Sequence, residues 1–118
     1  MGVDIVEVSR FALALARRGE RLAKRVFSPE ERVTCGASPH RLAARFAAKE
    51  AFYKALGTGM RSFHWREVEV KNDHLGAPYL CFSSRLSTHL AAEGIRTAHL
   101  SLSHSGDYAI AQVILEGE

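Results

Sequence analysis

Apolar positions recur along this chain with two periods, and the switches between them lay out its elements. Residues 2–8 alternate weakly and suit a short strand with Val3, Ile5 and Val8 as its apolar content. Ser9 is a suitable cap for a helix starting at Arg10, on which Phe11, Leu15, Leu22 and Val26 recur at helical spacing. Gly19 interrupts that run and divides it into two short helices. Ser28-Pro29-Glu30-Glu31 is a helix start, with a serine cap, proline at the first helical position and glutamate three residues after the cap. Ser38-Pro39 opens a long helix that ends near Gly57. Residues 65–71 return to alternation, with Val68 and Val70 on one side and Glu67, Glu69 and Lys71 on the other. Asn72 to Gly76 turns the chain into Tyr79–Phe82 and makes a hairpin. A helix over Ser84–Glu93 stops at Gly94, and residues 98–103 and 108–115 form a second hairpin around Ser105-Gly106-Asp107. Helices and strands mix without strict alternation, so the predicted class is α+β, with residues 1–118 as a single domain.

Composition changes this picture little: of 118 residues, 47% are apolar and 25% charged, which is ordinary for a globular protein. No apolar run reaches the length that spans a bilayer. The first seven residues hold two acids and no basic segment, unlike a signal peptide. Cys35 and Cys81 lack metal-ligand spacing and suit free thiols in a reducing cytoplasm. The charge distribution is more informative. Arg10, Arg17, Arg18, Arg21, Lys24 and Arg25 fall between residues 10 and 25 against a single acid, Glu20. Such a patch suits a nucleic acid, an anionic membrane surface or an acidic protein; the plain alternative is a solvated helix face. Trp65 and the scattered phenylalanines form no basic–aromatic array of the kind that stacks bases, which argues against single-stranded nucleic acid.

The densest chemistry lies in Arg45-Phe46-Ala47-Ala48-Lys49-Glu50-Ala51-Phe52-Tyr53-Lys54-Ala55-Leu56-Gly57-Thr58-Gly59. Glu50 and Lys54 share a helical face, and Ala47 and Ala43 continue it, leaving room for another body to approach. A core helix with a surface Glu–Lys pair is the plain alternative. Asp4 points away from Val3 and Ile5, either as an exposed polar position or as a metal ligand that joins Glu50. Mg²⁺ takes one or two carboxylates plus waters and phosphate oxygens, which such a pair would meet. Lys54 could then offset phosphate charge. Gly57-Thr58-Gly59 follows a helix where a P-loop would precede one, so it is a helix cap or a place of close backbone approach to a ligand. A Ser-His-Asp reading of Ser103, His104 and Asp107 fails, because neighbouring strand residues face opposite ways and no nucleophile elbow surrounds them. His104 is a phosphate donor or a structural histidine.

Five motifs in order make the chain resemble the bacterial holo-acyl-carrier-protein synthases, the small trimeric class of 4′-phosphopantetheinyl transferases. They are Gly2-Val3-Asp4-Ile5-Val6-Glu7 followed by Arg10, Phe27-Ser28-Pro29-Glu30-Glu31, the Arg45–Gly59 run, Asp73-x-x-Gly76-x-Pro78, and Leu100-Ser101-Leu102-Ser103-His104. The resemblance implies an antiparallel sheet with a long central helix. It also implies a reaction: coenzyme A donates its phosphopantetheine arm to a serine of an acyl carrier protein, and 3′,5′-ADP leaves. By the same resemblance Asp4 and Glu50 hold Mg²⁺. Asp4, Glu50 and Lys54 form the catalytic set. Lys54, Gly57, Thr58, Gly59 and His104 hold the coenzyme, and Arg10, Arg17 and Arg21 dock the carrier protein. The class works in the cytoplasm, in fatty acid biosynthesis, as a homotrimer with sites between subunits, which allows Asp4 and the coenzyme-facing residues to come from different chains. No nucleic acid and no membrane insertion are implied.

Two other readings use the same residues. One is a non-catalytic module that holds an acidic protein through residues 10–25; the other is a Mg²⁺-dependent phosphohydrolase, which needs no carrier protein. The identity of a general base is open among Glu50, a metal-bound water and the acidified serine.

Overall fold

The computed structural model describes residues 1–57 and 62–117. The element order is β1 (Gly2–Glu7), α1 (Val8–Arg18), α2 (Glu20–Val26), α3 (Pro29–Cys35), α4 (Pro39–Leu56), a short 3₁₀ turn (Trp65–Glu67), β2 (Val68–Asn72), β3 (Pro78–Phe82), α5 (Ser84–Ala92), β4 (Ile95–Ser105) and β5 (Tyr108–Gly117). Three antiparallel strands form one sheet in the order β1-β5-β4, and β2 and β3 form a separate hairpin. The α+β class and the central helix are therefore present as expected.

Helix α4 is buried on most of its surface, and it joins two apolar clusters. One contains Ala47, Ala48, Ala51 and Phe52 with Ala111 and Val113 of β5 and Val68 and Val70 of β2. The other contains Leu42, Ala43 and Ala44 with Phe11, Val26, Phe27 and Ala109. Small residues on both surfaces let the sheet approach the helix closely. The space beside Ala43 and Ala47 is thus filled by this chain's own sheet, since both alanines are fully buried; the approaching body is β5, not a ligand. Contact is closest at Gly2, where an added Cβ would run into the Ala51 carbonyl oxygen and stand 2.7 Å from the Ala55 nitrogen.

Serine caps and prolines start α3 and α4 as expected, with the full capping box at Ser28 and Glu31. Gly19 separates α1 from α2 at φ 60°, and Gly57 ends α4 in the left-handed region at φ 85°, where glycine carries no Cβ penalty. Four expectations need correction. The first strand stops at Glu7, and Val8 opens α1 as a buried residue. Ser9 lies inside that helix, and Glu7, at the cap position, makes no side-chain cap bond. Trp65–Glu67 is a 3₁₀ turn and the strand begins at Val68. The last hairpin is longer than its apolar alternation, because backbone pairing continues to Ile95 and Gly117 after the burial pattern ends.

The polarity of β1 is the reverse of a half-buried strand. Cross-strand register aligns Gly2, Asp4 and Val6 with Val113, Ala111 and Ala109, the residues that pack on α4. Val3 and Ile5 lie on the other face with Tyr108 and Ile114, and all four stay exposed, Ile5 by 61%. An apolar residue facing water beside a carboxylate facing the core is unfavourable in isolation.

Candidate active site

Register places Asp4 toward α4, and the helical period brings Glu50 and Lys54 to the same side of that helix. The Asp4 Oδ1 atom accepts a hydrogen bond from Lys54 Nζ at 2.8 Å. Lys54 also reaches the Val3 carbonyl at 3.4 Å. The expected Glu50–Lys54 pair on one helix is therefore replaced by a pair across two elements. The Asp4 side chain is mostly covered, whereas that of Lys54 is half exposed.

Glu50 is half-buried, and its carboxyl is pushed above the usual carboxylate range. Burial is the main cause; the Asp4 charge adds to it and Lys54 opposes it. Lys54 is raised, chiefly by its hydrogen bond to Asp4. Two carboxylates thus crowd one lysine and hold a net negative charge that favours a cation.

A cavity of about 580 Å³ opens over this cluster, with Asp4 and Glu50 on one side and Arg10, Phe11, Phe46 and Arg18 among its other walls. Arg17, Arg18, Arg21 and Arg25 surround Leu22 in a second cavity of about 540 Å³, and Arg18 and Leu22 line both. The basic helical face therefore runs on from the carboxylate cavity. Arg10 lies beside the carboxylates and Arg17 and Arg21 lie further along.

Both donors of the Asp4–Glu50 pair are hard oxygens, as Mg²⁺ prefers. Among the described residues no group of three or more histidine, cysteine or acidic side chains could hold a metal ion. An ion held by two carboxylates would keep positions for water and phosphate oxygens, so the residues present fit Mg²⁺.

His104 is not part of this cluster. It is exposed on β4 and pairs with Ala109 of β5, while Asp4 on β1 pairs with Ala111 of the same central strand. Two strand spacings, roughly 10 Å, separate the two residues within one chain. Gly57 caps α4 with open space where a side chain would stand; Thr58 and Gly59 lie outside the described residues. The possibility that Asp4 and Lys54 come from different chains is corrected by their direct hydrogen bond. Ser103 and His104 face opposite sides of the sheet, and the Asp107 carboxylate is taken by Ser9 Oγ at 2.5 Å, so no triad forms.

Sequence reasoning missed Phe46 and Arg18 as cavity walls. A pair of apolar or basic residues in a run of similar ones carries no mark of which side opens to solvent. It also missed the partner of Lys49. That ammonium is fully buried and donates to Glu31 Oε1 and the Val26 carbonyl at 2.7 Å each, and to the Trp65 carbonyl at 3.2 Å. Glu31 was legible as a capping residue, but its second task was not.

A fold and a site of this kind define a class. The model of the 4′-phosphopantetheinyl transferase superfamily matches residues 1–113, and the chain belongs to that superfamily. Among curated relatives, the holo-[acyl-carrier-protein] synthase of Trichlorobacter lovleyi is 49% identical over 120 residues, covering 98% of this chain and 95% of the relative. The crystal structure of the Neisseria meningitidis holo-[acyl-carrier-protein] synthase aligns with TM-score 0.91 at 38% identity, covering 98% of this chain and 95% of the other. The Helicobacter pylori holo-[acyl-carrier-protein] synthase, solved in complex with coenzyme A, aligns with TM-score 0.89 at 28% identity and 98% coverage of both chains. The fold is thus that of the holo-acyl-carrier-protein synthases.

Proposed function

We propose that this single-domain protein transfers the 4′-phosphopantetheine arm of coenzyme A to a serine of an apo acyl carrier protein, releasing 3′,5′-ADP. The observation that carries the reading is the placement of Asp4, Glu50 and Arg10 around one cavity, with Lys54 hydrogen-bonded to Asp4, in a chain of this superfamily. Relatives named as holo-acyl-carrier-protein synthases, one of them bound to coenzyme A, supply the substrates.

Asp4 and Glu50 would hold Mg²⁺, which when bound would supply charge neutralisation at the diphosphate. In the transfer the serine oxygen bonds to the β-phosphorus, the bond to 3′,5′-ADP breaks and the serine proton is released. Lys54 offsets phosphate charge from a half-exposed position, where its raised pKa keeps it protonated. Gly57, Thr58 and Gly59 help hold the coenzyme, and His104 donates to a phosphate. Arg10, Arg17 and Arg21 recruit the acidic carrier protein, a steering role in which salt weakens the encounter.

The active form is a homotrimer in the cytoplasm, serving fatty acid biosynthesis. Two features support the assembly. Val3, Ile5, Tyr108 and Ile114 form an exposed apolar sheet face, of the kind that a second copy covers. His104 is exposed on β4, two strands from its own chain's carboxylates, which leaves it accessible to a neighbouring chain's site. No helix among the described residues is long and apolar enough to cross a membrane.

Mass spectrometry of an apo carrier protein incubated with this protein, coenzyme A and Mg²⁺ tests the activity. A mass increase equal to one phosphopantetheine group is expected. Release of product from coenzyme A without carrier protein would favour the phosphohydrolase reading, and no turnover at all would favour a binding module. Light scattering should give three times 13.0 kDa. Mixing Glu50→Gln chains with His104→Ala chains under subunit exchange should restore activity if each site draws on two chains.

A further inference from the structure

Helix α1 lacks an N-terminal cap of its own. Glu7 makes no side-chain cap bond, and the first turn contains no acid. The first backbone donors of a helix have no intrahelical acceptor, and an uncapped end frays. Here the first two are satisfied from the far end of the sequence. Val8 N–H donates to the Asp107 carbonyl at 2.7 Å. Ser9 N–H donates to both Asp107 carboxylate oxygens, at 3.1 and 3.3 Å, and Ser9 Oγ donates to Oδ2 at 2.5 Å. One residue of the β4–β5 turn therefore supplies a backbone acceptor, a side-chain cap and the negative charge that favours a helix N-terminus.

Arg10 is the next residue along α1, and it lines the cavity that holds Asp4 and Glu50. Its backbone belongs to the turn that Asp107 ties down. We propose that Asp107 is a positioning residue for carrier-protein docking. By capping α1 through Ser9 it holds Arg10 over the mouth of the carboxylate cavity, and it anchors the docking helix to the hairpin that carries His104 three residues earlier. The inference rests on the reading of Arg10 as a carrier-protein contact. Asp107 touches no substrate; it acts through the first turn of α1.

The experiment is a double-mutant cycle in the transfer assay, varying apo carrier protein at saturating coenzyme A and the reverse. Asp107→Ala should raise the carrier-protein KM by about two- to thirtyfold, the range that loss of a cap spans. Its kcat and its coenzyme A KM should stay within about twofold, as for a loss confined to substrate binding. Asp107→Asn keeps an acceptor for Ser9 N–H and should recover much of the loss. Ser9→Ala keeps the amide bond to the carboxylate and should have a smaller effect than Asp107→Ala. The deciding measurement is the pair Arg10→Ala and Arg10→Ala/Asp107→Ala: once Arg10 is gone, removing Asp107 should add little. An unchanged carrier-protein KM in Asp107→Ala would overturn the inference, as would an effect that adds in full to that of Arg10→Ala or an equal loss in coenzyme A binding. If Arg10→Ala itself leaves the carrier-protein KM unchanged, the docking reading falls first, and this inference with it.

Discussion

Lys49 and Glu50 are neighbours on α4, yet the fold treats them in opposite ways. Lys49 points into the core, where each of its three N–H groups has an acceptor and its partner Glu31 is equally saturated. Glu31 Oε1 also accepts from Ser28 N–H at 3.0 Å, and Oε2 accepts from Val70 N–H at 2.9 Å. Burial pushes the ammonium below its usual range, and the Glu31 charge pulls it back. Glu50 faces the cavity with Asp4 beside it and one half-exposed lysine to share. A charge whose partners all come from its own chain is spent on holding elements together; here it ties α2, α3, α4, the 3₁₀ turn and β2. A charge left short of partners is available to a ligand. Completeness of pairing, more than burial alone, separates the Lys49–Glu31 pair from the Asp4, Glu50 and Lys54 cluster proposed to bind the ligand.

Four experiments sharpen or break this contrast. Lys49→Met should have the largest effect, because it leaves the Glu31 carboxylate buried and uncompensated, at a cost of about 3–5 kcal/mol. Urea denaturation should show this, and Lys49→Met/Glu31→Gln should regain part of the loss. A single variant as stable as the wild type would mean the pair holds nothing together. Glu50→Gln should do the reverse. Transfer should fall by about a hundredfold or more, the scale of losing one group aimed at developing charge, while the melting temperature holds or rises as repulsion from Asp4 is relieved. Asp4→Asn should follow it in direction. A folded Glu50→Gln enzyme with full turnover would remove the carboxylate from the site.

Gly2→Ala tests whether the site depends on how closely β1 lies against α4. The methyl group meets the Ala51 carbonyl, and backbone can yield only by moving the strand. A loss of about 1–3 kcal/mol is expected, together with weaker Mg²⁺ dependence as Asp4 is displaced from Glu50. Unchanged melting and unchanged metal dependence would show that the strand position is not critical.

The smallest expected effect is on pH dependence. Glu50 has a raised pKa in the folded protein, so the folded state holds this proton more tightly than the unfolded chain does. The group therefore favours the fold at low pH and loses that advantage as pH rises through the window between its unfolded and folded values. A bound cation favours the charged carboxylate and must lower the pKa. The acidic limb of activity should lie above the ordinary glutamate range at low Mg²⁺ and move to lower pH as Mg²⁺ increases. A limb indifferent to Mg²⁺ would separate Glu50 from the metal.

The sequence by itself determined the local starts and stops and the list of chemistry-bearing residues. Ser28-Pro29 and Ser38-Pro39 begin helices and Gly19 and Gly57 end them, because capping and φ preferences are properties of a few adjacent residues. The Arg45–Gly59 run and the Gly2–Glu7 segment carry enough specific spacing to mark Asp4, Glu50 and Lys54. Only the tertiary structure decided which of these residues meet. Asp4 finds Lys54 across fifty positions, Lys49 finds Glu31, and Asp107 caps a helix that starts at Val8. It also decided that β1 turns Val3 and Ile5 outward and Asp4 inward. Period-two alternation gives two faces but not their assignment, which depends on what packs against each. Pairing between distant residues is set by how close α4 and the sheet can pack, and that distance is a property of the assembled core.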